Sequence, residues 1–255
     1  MAREAKKETS KLGKALWRTA MIAVPLAVCT GVSVYLVHRY LINDPKFVLS
    51  HDRREALTID GLRYGSRAKV QRIFAADAEH SVFAVPLEER RRRLLAIDWV
   101  EDAAVSRVWP DRLAVRIQER KPVAFVEVES SVMLIDAQGM LLEPPPQAQF
   151  TFPVLAGVRA QDPPEKRMDA VRALQDVEDA LGADMKDVSE VNAADPGNIR
   201  IVVQLENRVL ELILGGENLG PRYRNFLTHY AEMRKRSPEV RVFDLRLDDR
   251  ITARE

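Results

Sequence analysis

Apolar positions along this chain follow three different rules in turn. Residues 19–37 carry no charged side chain, and as a helix such a run rises about 28 Å, close to the roughly 30 Å hydrocarbon core of a bilayer. Trp17 at one end and Tyr35 and Tyr40 at the other stand where interfacial aromatics belong, and Pro25 is tolerated inside a membrane helix. The run is read as a single transmembrane helix over residues 19–40. A cleaved signal sequence and a buried core helix are the competing readings. A signal would have a shorter apolar core and a small-residue exit, whereas this run leaves through Tyr35, Leu36, Val37, His38, Arg39 and Tyr40. Ahead of it, residues 1–18 bear Arg3, Lys6, Lys7, Lys11, Lys14 and Arg18 against Glu4 and Glu8, with no apolar period. They read as an unstructured tail that stays cytoplasmic under the positive-inside rule, leaving the long C-terminal part outside.

Beyond a short linker at Asn43, Asp44 and Pro45, the period changes to short elements. Leu57 and Ile59 alternate with Thr58 and Asp60 and stop at Gly61, the pattern of a half-buried strand. Ser66 is placed to cap a helix with Val70, Ile73 and Phe74 on one face, and Pro86 suits the first turn of another carrying Leu87, Leu94 and Leu95. A hairpin follows, with Trp109, Pro110 and Asp111 as its turn and Leu113, Val115 and Ile117 on one parity of the second strand. Pro122 lacks an N–H, so that strand continues through it only at an edge or a bulge. The order is β-α-α-β-β over residues 47–126. Inside its second helix, Arg90, Arg91, Arg92 and Arg93 point around most of a turn, which makes a solvated face the first reading and an anion-binding patch the second.

Residues 127–250 read as a second mixed domain, α+β like the first, with an antiparallel-rich sheet and two helices. A hairpin runs over 132–142 around Asp136, Ala137, Gln138 and Gly139, and Pro144, Pro145 and Pro146 stop it. Pro163 and Pro164 precede a helix with Met168, Val171, Leu174 and Leu181 at helical spacing, closed by Gly182. Strands over 188–192, 199–205 and 209–214 follow. A helix opening at Pro221 aligns Tyr223, Phe226, Leu227, Tyr230 and Met233, and a last strand covers 240–247 before a short tail at 251–255.

Composition excludes more than it assigns. A net charge of +1 gives no overall bias toward nucleic acid. The sole cysteine, Cys29, lies in the apolar run, so no intrachain disulfide or cysteine metal site exists. The histidines His38, His51, His80 and His229 show no ligand spacing, no Gly-x-Ser-x-Gly elbow occurs, and the acidic residues mostly neighbour basic ones. No catalytic, cofactor-binding or metal-binding residue is assigned. Gly215, Gly216 and Gly220 ahead of Arg222 and Arg224 imitate a phosphate loop, but the Walker lysine is missing and Pro221 removes one donor, so a strand-to-helix turn is the better reading.

Trp99-Val100, Val105-x-Arg107-x-Trp109-Pro110 and Glu119-Arg120-x-Pro122-Val123-Ala124, in that order and spacing, resemble the polypeptide-transport-associated (POTRA) domain of the bacterial cell-division family FtsQ/DivIB. Further along, Leu134-Ile135-Asp136-x-x-Gly139, Phe152-Pro153-x-Leu155-x-Gly157, Leu214-Gly215 and Asp244-Leu245-Arg246 extend the resemblance over nearly the whole exported part. It implies a non-enzymatic single-pass scaffold of the inner membrane, enriched at the division septum, that binds FtsB/DivIC and FtsL-type proteins. The family's contact with the FtsB/DivIC partner carries over to Asp244, Arg246 and Leu247, on the supposition that strand 240–247 lies at a sheet edge. Its recruitment contacts in the POTRA strand carry over to Val105 and Arg107. Leu247 and the Asp249-Arg250 pair depart from the family's usual aromatic and glycine. The alternative function is a POTRA module for polypeptide handling in secretion or outer-membrane assembly, for which 129 residues after Val126 leave little room for a barrel.

Overall fold

The computed structural model describes residues 2–50, 56–129, 131–146, 148–248 and 250–254. Helix α1 spans Ala2–Asn43. Within it Met21–Tyr40, with a mean hydropathy of 1.8 and no buried residue, is the one stretch among the described residues long and apolar enough to cross a membrane. The basic segment expected to be unstructured continues this helix instead. Its Ala, Lys, Glu and Leu residues are strong helix formers, and lengthening an existing helix avoids the cost of nucleating one.

Contacts divide the chain into two compact units, residues 1–62, 66–95 and 103–117 in one and residues 63–65, 96–102 and 118–255 in the other. In the first, β1 (Leu57–Asp60), α2 (Arg67–Ile73), α3 (Leu87–Leu95), β2 (Val100–Val108) and β3 (Arg112–Glu119) follow in the expected β-α-α-β-β order. The sheet order is β1-β3-β2, with β1 parallel to β3 and Leu57 and Ile59 opposite Leu113 and Val115. Those four residues face one core with Val70 and Leu94, all of them buried. Ser66 caps α2 by accepting a hydrogen bond from the Lys69 N–H at 3.3 Å. Gly61 ends β1 with φ at +82°, and a Cβ there would stand 2.0 Å from the Ile117 carbonyl oxygen, so no other residue fits.

The four arginines do not all lie on a solvated face. Arg90 is turned inward and 7% exposed; its Nε and Nη2 donate to Asp77 Oδ2 and Oδ1 at 2.7 and 2.8 Å, in a bidentate pair with a carboxylate that is itself 5% exposed. Helical geometry explains why one of four successive residues must face the core when Leu94, four positions on, does.

The second unit is built on a nine-stranded sheet. Its strands are β4 (Pro122–Val128), β5 (Ser131–Asp136), β6 (Leu141–Leu142), β7 (Val154–Ala156), β8 (Val188–Asn192), β9 (Ile199–Leu205), β10 (Arg208–Gly215), β11 (Val242–Asp244) and β12 (Thr252–Arg254). They lie in the order β12-β11-β10-β9-β8-β7-β4-β5-β6, with β4/β7, β7/β8 and β10/β11 parallel and the other defined pairs antiparallel. Helices α4 (Pro164–Leu181) and α5 (Leu219–Arg236) pack Val171, Leu174, Val177, Tyr223 and Phe226 into one core with Val191, Ile201, Leu210 and Leu212 of the sheet. α5 begins two residues before Pro221, at Leu219.

One boundary moves and one strand is added. The expected limit at Val126 falls inside β4, because β3 ends at Glu119 and a new strand starts at Pro122, paired with β5 across a register shift between Pro122 and Ala124. That shift is the irregularity a proline imposes on an interior strand. Strand β7, which the sequence pattern passed over, has three residues, and its follower Gly157, with φ at +87°, would put a Cβ 2.5 Å from that of Ala194.

Replacing Arg90 by Ala leaves the Asp77 carboxylate buried without its partner and is expected to destabilise the first unit by about 3–5 kcal/mol in urea unfolding. The Asp77→Asn, Arg90→Met pair should restore most of that loss. A cost below about 1 kcal/mol for Arg90→Ala would show that the buried pair does not hold this unit.

Candidate functional site

The candidate site to be placed is the pair of sheet edges named from the sequence, and no group of histidine, cysteine and carboxylate side chains that could hold a metal ion occurs among the described residues. The supposition that strand 240–247 ends the chain at a free edge is incorrect. β11 holds only Val242–Asp244, is parallel to β10 on one side and antiparallel to β12 on the other, and so is enclosed. Past it, the Leu245 N–H still donates to Ile213 O at 2.9 Å before the chain turns away through Arg246, Leu247 and Asp248. The rim of the sheet is β12, inside the segment expected to be a tail, with Thr252, Ala253 and Arg254 all exposed. Ile251 and Ala253 alternate with Thr252 and Arg254, but two apolar positions are too short a period to mark a strand; pairing with β11 makes it one.

Asp244 shows how β12 is held. Its carboxylate is 6% exposed and accepts from Arg246 Nε at 2.9 Å, Arg246 Nη2 at 2.7 Å, the Arg246 N–H at 3.2 Å and Arg254 Nη2 at 2.8 Å. Asp244 and Arg246 are thus brought together with each other and with Arg254, which the sequence did not single out. Leu247 is 50% exposed in the loop between β11 and β12. Arg222 donates through Nη1 to Leu214 O at 2.7 Å and through Nε to Asp248 Oδ1 at 2.8 Å, so the glycine-rich turn uses this arginine to tie a strand end to that loop.

In the first unit, β2 occupies the other candidate edge, flanked only by β3. Val105 on it is half-buried. Arg107 is no free strand residue: its Nε donates to Val82 O at 2.7 Å and its Nη2 to Val85 O at 3.0 Å. It holds the segment leading into α3.

Several residues of the motif series act as pins within the second unit. Trp99 Nε1 donates to Glu143 O at 2.9 Å, and Glu119 Oε1 accepts the N–H groups of Tyr64 and Gly65 at 2.8 and 2.6 Å. Asp136, fully buried, closes the β5–β6 turn by accepting from the Gln138 and Met140 N–H groups at 2.9 and 2.8 Å, and pairs with Arg120 Nη1 at 2.9 Å.

The Arg246 guanidinium, seconded by that of Arg254, holds the Asp244 carboxyl at about 2, below the ordinary 3.8. The folded value lies below the unfolded one, so this stabilisation is present above about pH 4 and is lost as pH falls toward 2. It is worth at most about 2 kcal/mol, because both arginines are half in solvent and screened. Asp244→Asn should flatten the acid limb of the second unit's stability profile over that window. An unchanged acid limb would place the pH dependence in other carboxylates.

With this geometry in hand, comparison with known proteins gives two matches in chain order. The family described as POTRA domain, FtsQ-type, matches residues 53–120, and that described as Cell division protein FtsQ/DivIB, C-terminal, matches residues 124–246. The cell division protein FtsQ of Koribacter versatilis is 31% identical over 252 residues, covering 96% of this chain and 71% of its own length. That of Novosphingobium aromaticivorans is 27% identical over 243 residues, 94% of this chain and 69% of its own. The solved extracytoplasmic domain of DivIB from Geobacillus stearothermophilus is 18% identical, covers 46% of this chain and 92% of its own, and superposes with a TM-score of 0.27, too loosely to bear on the fold. An N-terminal apolar helix, a POTRA domain and a sheet-rich domain with two helices, matched in that order and aligned almost end to end with a named relative, place the chain in the FtsQ/DivIB family of cell division proteins.

Proposed function

We propose that this protein is a non-enzymatic, single-pass scaffold of the division machinery. Its N-terminus is cytoplasmic, its two folded units lie in the periplasm, and it gathers at the septum, where it links FtsB/DivIC and FtsL-type proteins. The observation that carries the reading is the short exposed rim strand β12, three residues long and fastened at its inner side by Asp244. A rim offers alternate N–H and C=O groups to an incoming strand, and main-chain pairing of that kind needs no reactive centre. In this reading Asp244 and Arg246 act by fixing the rim, and Leu247 offers apolar contact beside the incoming strand. The edge strand β2, with Val105 and Arg107, is the second docking edge, and Arg107 acts there by keeping the neighbouring segment in place.

Two measurements test the reading. A fluorescently tagged full-length copy should concentrate at the septum of dividing cells, and uniform membrane labelling would count against the scaffold. Proline placed at Thr252 or at Ala253 removes one donor each, one of them facing outward. At least one of the two variants should weaken capture of the FtsB/DivIC partner about tenfold or more while the second unit keeps its unfolding midpoint. Full capture by both would move the docking edge away from β12.

A further inference from the structure

Three aromatic rings of the first unit meet outside its core. Phe47, Phe83 and Trp109 pack edge to face in a closed triangle, with ring centroids 5.3 Å apart for Phe47–Phe83 and 5.4 Å for each ring with Trp109. Trp109 is nevertheless 63% exposed, and its neighbour Val108 is 38% exposed. A tryptophan this open stands at the tip of the hairpin beside a second exposed apolar residue, while Leu113, Val115 and Ile117 of the same hairpin are buried.

The chain fixes where this triangle stands. α1 ends at Asn43, the Asp44 N–H still bonds to Tyr40 O at 3.0 Å, and Pro45–Phe47 form a 3₁₀ turn that Asp44 caps by accepting from the Lys46 N–H at 2.9 Å. No free linker intervenes. Phe47 is then stitched to the folded unit, because its carbonyl accepts from the Val82 N–H at 2.8 Å and the Leu49 N–H donates to His80 O at 2.9 Å. Three residues from Asp44 reach at most about 10 Å. The headgroup zone beyond the hydrocarbon core is roughly 5–7 Å deep on each side. The apolar stretch ends at Tyr40, four helical residues or about 6 Å before Asp44, so Phe47 stands at most about 16 Å beyond that end and a ring in contact with it lies within reach of the zone.

Resting on the membrane-anchored reading, we infer that the Phe47–Phe83–Trp109 triangle is a second membrane contact, which seats the tip of the β2–β3 hairpin in the lipid interface beside the outer end of the span. Tryptophan prefers that layer because its ring is largely apolar and its N–H still finds water or a headgroup oxygen. Two anchors from one short stretch of chain, the span and the hairpin tip, hold the first unit against the bilayer at a fixed tilt.

The test uses the full-length chain in phospholipid vesicles whose acyl chains carry bromine, which quenches indole fluorescence on contact. Wild type minus Trp109→Phe isolates the signal of Trp109; wild type minus Trp17→Phe isolates that of Trp17, at the inner end of the span. Phenylalanine keeps a ring against Phe47 and Phe83, so the variant should retain the wild-type unfolding midpoint. Quenching of both shares supports the proposal. A quenched Trp17 share with an unquenched Trp109 share overturns it while leaving the anchor in place, and loss of quenching in both overturns the anchor as well. A Trp109 that acrylamide reaches in lipid alone, and that is shielded only when co-purifying division proteins are added, assigns the triangle to a protein partner and also overturns it. As an independent reading, a nitroxide on Val108→Cys, in a Cys29→Ser background, should sit within the headgroup layer rather than in bulk water.

Discussion

Every open sheet ends in rows of main-chain N–H and C=O groups with no partner, and in this protein both ends of the large sheet have to be managed. The nine-stranded sheet closes one end with the two-residue β6 and the other with the three-residue β12. Short rims limit uncontrolled pairing. β12 is too short to be secured by its backbone bonds alone. The buried carboxylate of Asp244 supplies the missing grip by reaching Arg254 across the strand pair while Arg246, two residues past it in the following loop, neutralises it.

The same logic of fixing by polar side chains recurs through both units. Arg90 and Asp77 form a buried pair in the first, Arg107 holds the carbonyls before α3, Glu119 collects two N–H groups and Asp136 closes a turn. Such groups gain more from each bond than exposed pairs do, because burial removes the competing water and leaves a large cost for any partner taken away. This explains why the motif residues that signal the family are for the most part inward-facing or spent on local bonds. They report the fold.

An anchored protein also has to control its distance from the bilayer. The helix leaves the span through a capped turn and is bonded into the first unit within a few residues, which removes the slack a flexible linker would give. The direction in which the first unit leaves the helix is then set by the chain.

Much of this was legible in the order of residues. The charge-free run, the alternation at Leu57 and Ile59, the helical faces around Val70 and around Tyr223 and Phe226, and the hairpin at Pro110 are local patterns, and local patterns encode elements. Strand neighbours are not local. Whether β11 is terminal or enclosed depends on β12, around which only Ile251 and Ala253 alternate, too short a period to mark a strand until β11 is there to pair with it. β7 is equally short, and Arg90 was hidden in a run of like residues whose individual directions depend on where the core lies. Sequence determined the long apolar helix, the β-α-α-β-β order of the first unit and the two helices of the second, because periodicity is written residue by residue. The rim, the buried ion pairs and the aromatic triangle were decided only by tertiary structure, because each joins positions whose proximity no local period records.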